Sequence, residues 1–276
     1  MKIQILGTAA YERVPALFCE CAICNYARLK GGKEIRTQAQ TLINDDLLVD
    51  FGMDNFYHFT KFNVDFKKIK NILVTHSHGD HFVPEELTMM KAPYGHNGIE
   101  YEIFGGLDCF EKFSSVATSS KAKFTVVEPF QTFEVGRYTV TALPARHGTG
   151  NPYIYIISDG EKCILYGNDS GLEHEEVYDY LEKSSCVFDL VISDCTNGYK
   201  HFDYVHGHKS FKDNAYHKER LKKSGNITDK TVWVITHYSH NGLIDKNGNP
   251  VSNDDLGVIA AEMGMISAYD GIEIEI

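Results

Sequence analysis

The run Thr75-His76-Ser77-His78-Gly79-Asp80-His81 constrains this chain more than any other feature. It places three histidines and a carboxylate within six positions, directly after an apolar, strand-like stretch, Asn71-Ile72-Leu73-Val74. Histidines at i and i+2 of an extended segment project to one side. Gly79 lets the chain turn tightly, so the four side chains can converge. Imidazoles suit Zn²⁺, Mn²⁺ or Fe²⁺, and a carboxylate adds a harder, charge-neutralising ligand. The plain alternative is a solvated polar loop after a strand. Histidine is scarce, however, and such clusters mark metal or catalytic sites. A two-metal hydrolytic centre is therefore expected.

Two ions need more ligands than these four. Three further residues lie just after strand-like segments. They are His147 in Leu143-Pro144-Ala145-Arg146-His147-Gly148, Asp169 in Gly167-Asn168-Asp169-Ser170-Gly171, and His237 in Val234-Ile235-Thr236-His237. Taken singly, each has a simpler explanation. A lone histidine is more often a surface or hydrogen-bonded residue, and an Asp before Ser-Gly is more often a turn or a helix cap. Their shared placement at strand ends, where a rigid scaffold presents functional loops, favours a common site. Asp194, after the strand-like Leu190-Val191-Ile192, is expected to hydrogen-bond a ligating histidine, as are Thr75 and Thr236.

The chain has 276 residues, 43% apolar and 24% charged, which is ordinary for a globular protein with a sizeable core. A net charge of −11 disfavours long nucleic acid as a partner. No apolar run approaches the ~18 residues of a membrane span. Met1 to Gly7 reads as a first strand rather than a signal peptide, so a cytoplasmic location is expected. Seven cysteines, an odd number, argue against a disulfide framework. Three of them form the cluster Cys19-x-Cys21-x-x-Cys24, readable as small buried hydrophobes or as metal ligands. A redox pair is disfavoured because no thioredoxin-like pattern surrounds it.

Short apolar strands recur along the chain, with turns at Asn44-Asp45-Asp46 and Asp159-Gly160-Glu161. Apolar spacings of three and four predict helices near 22–30, 84–91, 107–113, 173–183, 211–223 and 255–267. Hairpins early, with helices interspersed, predict sheets packed face to face with helices outside. The stretch Thr196 to Lys209 has no period and reads as a functional loop.

The order His76-x-His78-x-Asp80-His81, His147, Asp169, His237 resembles the signature of the metallo-β-lactamase superfamily over nearly the whole chain. That resemblance implies an α+β, four-layer αββα sandwich, here a single domain over 1–276. It implies one metal held by His76, His78 and His147, a second by Asp80, His81 and His237, and Asp169 bridging them. Both would be Zn²⁺, Mn²⁺ or Fe²⁺. Asp rather than Cys at the bridge points away from true β-lactamases and toward hydrolases of the glyoxalase II, ribonuclease Z and phosphodiesterase branches. The start, Gly7-Thr8-Ala9-Ala10 through Pro15 and the cysteine cluster to Ala27-Arg28, resembles PhnP-type cyclic phosphodiesterases and the related PqqB-type proteins. There, three N-terminal cysteines and a histidine three residues after the last catalytic one bind a structural zinc. The implied set is Cys19, Cys21, Cys24 and His240. Three thiolates and an imidazole make a closed tetrahedral site. It would staple the N-terminal loop to the loop that carries His237.

The resemblance also implies a mechanism in which a metal-bridging hydroxide attacks a phosphodiester. His208, with Lys209 and Ser210 ahead of a helix, is implied as proton donor or phosphate contact, with His206 as runner-up. Asp80 is carried over as both ligand and catalytic residue. Lys209 departs from the hydrophobic residue usual at that position. The acidic balance, and the lack of a long Gly- and Lys/Arg-rich arm, favour a small cyclic phosphodiester over a tRNA precursor. A thioester or lactone hydrolase, a ribonuclease Z-like enzyme and a PqqB-like cofactor-pathway protein are the alternatives. The only protein partner entertained is a second copy in a homodimer.

Overall fold

The computed structural model describes residues 1–96, 98–116, 121–202, 207–245 and 247–276. Two seven-stranded sheets dominate it. The first sheet has strands β1 (Lys2–Gly7), β2 (Gln40–Ile43), β3 (Leu47–Val49), β4 (Asn71–Leu73), β5 (Tyr101–Gly105) and β6 (Ala122–Val126), with β14 (Ile272–Glu275) beside β1. The second runs, from one edge to the other, β13 (Ile266–Ser267), β12 (Val232–Thr236), β11 (Leu190–Asp194), β10 (Cys163–Gly167), β9 (Tyr153–Ser158), β8 (Tyr138–Pro144) and β7 (Thr132–Val135). The helices are α1 (Ala22–Lys30), α2 (Asn55–Lys61), α3 (Leu107–Val116), α4 (Glu175–Ser184), α5 (Phe211–Lys223) and α6 (Asn253–Glu262). No described helix is long and apolar enough to cross a membrane.

The apolar runs read as strands because many of these strands are covered on both faces. Alternate residues sort cleanly. Ile3, Ile5, Leu47 and Val49 of the first sheet meet Ile164, Tyr166, Ile192 and Val234 of the second in one buried cluster between the sheets. Leu165, Val191, Trp233 and Ile235 point the other way, onto Val177 and Leu181 of α4, Leu221 of α5 and Leu256 of α6. Leu48, Ile72 and Ile103 face outward onto Cys109 and Phe113 of α3. The layers are therefore helices, sheet, sheet, helices, as the sequence predicts.

Helix α5 falls where the spacing placed it, and a reciprocal cap between Ser210 and Asp213 fixes its start. The helix predicted at 255–267 is an error at its end. It stops at Glu262, Gly264 turns the chain at φ +64°, and Ile266–Ser267 pair in parallel with β12. The helix predicted near 84–91 is a 3₁₀ helix, Pro84–Met90. Strands β5, β7 and β13 and helix α2 were not anticipated; they are short, and tertiary pairing decides them.

Candidate metal centre

Parallel strands deliver their C-terminal ends to one edge of the sandwich, and the predicted ligands collect there. His76, His78, Asp80 and His81 follow β4, His147 follows β8, Asp169 follows β10 and His237 follows β12. Asp169 (φ 54°) and His237 (φ 63°) both take the left-handed backbone conformation. Non-glycine residues there carry strain that persists only where the surroundings dictate it, and such residues gather at functional sites.

The donor atoms fall into two groups, each within 4.8 Å: His76, His78, His147 and Asp169, and Asp80, His81, Asp169 and His237. Asp169 is common to both. Its Oδ2 lies 3.1 Å from His76 Nε2 and 3.3 Å from His81 Nε2. His76 Nε2 and His78 Nδ1 are 3.0 Å apart, and His81 Nε2 and His237 Nε2 are 3.3 Å apart. Ring nitrogens converging on a shared point suit a cation better than one another. Asp80 Oδ1 is buried without a hydrogen-bond partner among the described residues, which also fits a cation. The residues fit two divalent ions.

The buried carboxylates set the electrostatics of the site. Burial, helped by the nearby His81, pulls His76 down to about 4, so it is a neutral donor. Burial opposes the charge of His81, but Asp80 and Asp50 outweigh it and raise its pKa well above the ordinary value. Burial likewise opposes the Asp169 carboxylate, yet His237 and the hydrogen bonds from His208 and His76 hold it well below the usual range.

Outer partners fix the rings. His81 Nδ1 lies 2.7 Å from Asp50 Oδ2, while Asp50 Oδ1 accepts from the Thr75 backbone N–H and hydroxyl, each at 2.8 Å. Sequence reading missed Asp50, although it too ends a strand, β3. Gly52 beside it is obligatory, since a Cβ there would come within 2.0 Å of the Asp80 carbonyl oxygen. Thr75 also reaches His76 Nδ1 at 3.0 Å, as expected. Thr236 does not play the expected part: its hydroxyl is buried without a partner among the described residues. Thr196 takes that role, 2.8 Å from His237 Nδ1.

His208 lies on the rim rather than in open solvent. Its Nδ1 is 3.0 Å from Asp194 Oδ2 and 3.0 Å from Asp169 Oδ1, and its ring stacks on His237. Burial disfavours its charge, but the Asp194 and Asp169 carboxylates outweigh this and push it up to about 11. The runner-up His206 lies outside the described residues. Asp194 accepts from His208 and lies 3.4 Å from His237 Nδ1, so it serves the histidines as anticipated. Cys195 is wholly buried.

A second cluster stands nearby. The Sγ atoms of Cys19, Cys21 and Cys24 lie 3.5, 3.3 and 3.5 Å from His240 Nδ1. All four donors are within 4.8 Å of one another, which suits a closed tetrahedral zinc site. Burial opposes the Cys21 thiolate, but hydrogen bonds from His240 and the neighbouring cysteines lower it to about 6.

A family model for the beta-lactamase superfamily domain matches residues 46–225, a span that holds every predicted ligand of the main centre except His237. The chain belongs to the metallo-β-lactamase superfamily. Solved structures similar along their full length agree on the fold. A diphosphatase of the PhnP family is 18% identical, with a TM-score of 0.74, 100% of this chain and 97% of that one being covered. Zn²⁺-bound PqqB from Methylobacterium extorquens is 17% identical with a TM-score of 0.69, and both chains are covered completely. Human tRNase Z, short form, is 18% identical with a TM-score of 0.65, covering 100% of this chain and 99% of that one. No curated protein sequence matches it. As a superfamily member with this set of donors, the chain is a metal-dependent hydrolase.

Proposed function

We propose that this hydrolase is a binuclear phosphodiesterase acting on small, cyclic phosphodiesters in the cytoplasm. The observation that carries the reading is Asp169 Oδ2, placed between His76 and His81 so that one carboxylate serves both donor groups. His76, His78 and His147 would hold one divalent ion, Asp80, His81 and His237 the other, with zinc or manganese the best match and iron next. Two such ions supply Lewis acidity and lower the pKa of a water nucleophile. The protein's own part is orientation and proton transfer. His208, held by Asp194, faces the cleft with a proton to give to the departing alkoxide.

The cleft, about 610 Å³, is of small-molecule size. That size, together with the chain's net charge of −11, favours a small diester over RNA. Cys19, Cys21, Cys24 and His240 would hold a separate structural zinc.

The test is a hydrolysis panel with Mn²⁺- or Zn²⁺-reconstituted protein. Its members are bis(p-nitrophenyl) phosphate, 2′,3′-cyclic nucleotides, a diphosphate ester, a glutathione thioester and a lactone. Turnover of the phosphodiesters is expected. Turnover confined to the thioester, the lactone or the diphosphate would sink the reading. His208→Ala should lower kcat about 10²- to 10³-fold with the metal content retained.

A further inference from the structure

One wall of the cleft belongs to neither metal group. It is built by Tyr11 and Glu12, which follow β1. The backbone there is pinned at Ala10 and Tyr11, and the side chain of the next residue but one is anchored as well. The Ala10 N–H donates to the Tyr238 carbonyl at 3.1 Å, Gln38 Nε2 donates to the Tyr11 carbonyl at 2.9 Å, and Arg13 Nε donates to Asp54 at 2.8 Å. Yet the Tyr11 side chain is exposed, at 58%. Its ring edge lies against the ligand loop, 3.6 Å from where a Cβ on Gly79 would stand. An aromatic ring on a fixed backbone, open to a cleft, is a stacking platform that loses little entropy on binding. Beside it, Glu12 Oε1 accepts from Ser239 Oγ at 2.6 Å. Its other oxygen makes no hydrogen bond to a described residue, leaving acceptor capacity at the rim. Among the described residues, no lysine or arginine lines this cleft.

We propose that Tyr11 and Glu12 form the subsite for the unreacting half of the substrate, and that this half is a nucleoside carrying no second phosphate. Tyr11 stacks the base, and Glu12 accepts from a sugar hydroxyl or base amine. A second phosphate would meet the Glu12 carboxylate with no lysine or arginine among the described lining residues to offset it. The proposal rests on the phosphodiesterase reading and adds the substrate class to it.

The test compares kcat/KM of the metal-reconstituted enzyme on adenosine 2′,3′-cyclic phosphate, its 5′-phosphorylated form, and the base-free methyl riboside 2,3-cyclic phosphate. The first should exceed the second by about tenfold or more, the scale of one like-charge contact in a partly desolvated cleft. Glu12→Gln, which keeps an acceptor for Ser239, should narrow that ratio, and Glu12→Lys should reverse it. Tyr11→Leu should lower kcat/KM on the nucleoside substrate about tenfold more than on the base-free one. Bound metal is measured in each variant, since Glu12 also lies 3.8 Å from His240. Ratios unmoved by these substitutions, at unchanged metal content, would overturn the subsite. If bis(p-nitrophenyl) phosphate is not hydrolysed at all, the phosphodiesterase reading fails instead. The subsite is then judged by calorimetry with adenosine: a tenfold weaker affinity in Tyr11→Leu upholds it, and equal or absent binding refutes it.

Discussion

Lys209 Nζ lies 2.8 Å from Glu173 Oε1, and neither side chain reaches solvent. The ammonium also donates to the Ser170 carbonyl at 3.0 Å. The Ser170 hydroxyl donates to the other Glu173 oxygen at 3.2 Å and accepts from the Arg146 N–H at 3.0 Å. Three of these residues adjoin a site residue: Lys209 follows His208, Ser170 follows Asp169, and Arg146 precedes His147. The pair thus ties three site loops together from behind. Lys209, where the resemblance implies a hydrophobic residue, is accounted for by its carboxylate partner.

Breaking this pair from one side leaves an uncompensated buried charge. Lys209→Met is therefore expected to lower unfolding free energy by about 3–5 kcal/mol, with Glu173→Gln similar. The double variant Lys209→Met/Glu173→Met removes both charges and should recover most of that loss. Turnover should recover less than stability, because the Ser170 carbonyl still lacks its donor. Urea denaturation and kcat on the three proteins decide it. A double variant no more stable than the singles would contradict the account.

Asp50 is the outer carboxylate of His81, and it holds the Thr75 segment through two hydrogen bonds. In Asp50→Asn, the amide oxygen can still accept from Thr75, but the amide nitrogen then faces His81 Nδ1, and the imidazole loses its acceptor. Loss of such a partner typically costs 10- to 100-fold in metal affinity or activity. Titration against a chelating dye should show that weakening in one of the two main sites. Equal affinity at both sites in variant and parent would rule out this role.

The seven donors that converge at the main centre were legible because each is a histidine or aspartate just after an apolar strand, as His147 after β8 and His237 after β12 illustrate. The layer order was legible from the same strands. Residues whose role depends on who faces them were not. Asp50 and Thr196 are ordinary polar residues until folding sets them at 2.7 and 2.8 Å from ligand rings. Thr236 precedes a ligand just as Thr75 does, yet its hydroxyl points elsewhere. The pairing of Ile266–Ser267 with β12 likewise reflects a contact across the sequence that local spacing cannot encode.

The cysteine cluster gives a separable measurement. His240 lies three residues after His237, so a zinc held there would brace the main centre without joining it. Cys24→Ser should lower bound zinc by one ion per chain while the main-centre metals remain. Stability should fall by about 3 kcal/mol or more, less than the ~10–16 kcal/mol of a zinc-finger peptide, because this fold has a core of its own. Metal analysis with thermal unfolding checks both. Unchanged zinc content would show that the four donors hold no ion.

Asp270 supplies a pH dependence remote from the metals. Gln40 Nε2 must face the Asp50 carbonyl, 3.0 Å away, so Gln40 Oε1 faces His58 Nδ1 at 2.8 Å and that nitrogen carries a proton. Burial lowers His58 to about 4, so it is neutral and its Nε2, 2.7 Å from Thr37 Oγ1, accepts the Thr37 hydroxyl proton. Thr37 Oγ1 then needs a donor from Asp270 Oδ2, 2.5 Å away, which requires a protonated carboxyl. Burial acts in the same direction, raising Asp270 to about 6 against the hydrogen bonds it accepts from the Thr8 hydroxyl and the Thr37 backbone N–H. The folded-state pKa lies above the ordinary 3.8, so folding favours the protonated form. The resulting stability is complete below about 4 and disappears as pH rises through about 6, a swing of up to about 3 kcal/mol. Asp270→Asn cannot titrate. Its destabilisation relative to the parent should therefore be larger at pH 4.5 than at pH 7.5. Taking the difference between the two proteins cancels the opposite trend from His58, whose contribution is present above 6.5 and lost as pH falls toward 4. Urea denaturation at the two pH values measures it, and a pH-independent difference would refute the protonated Asp270.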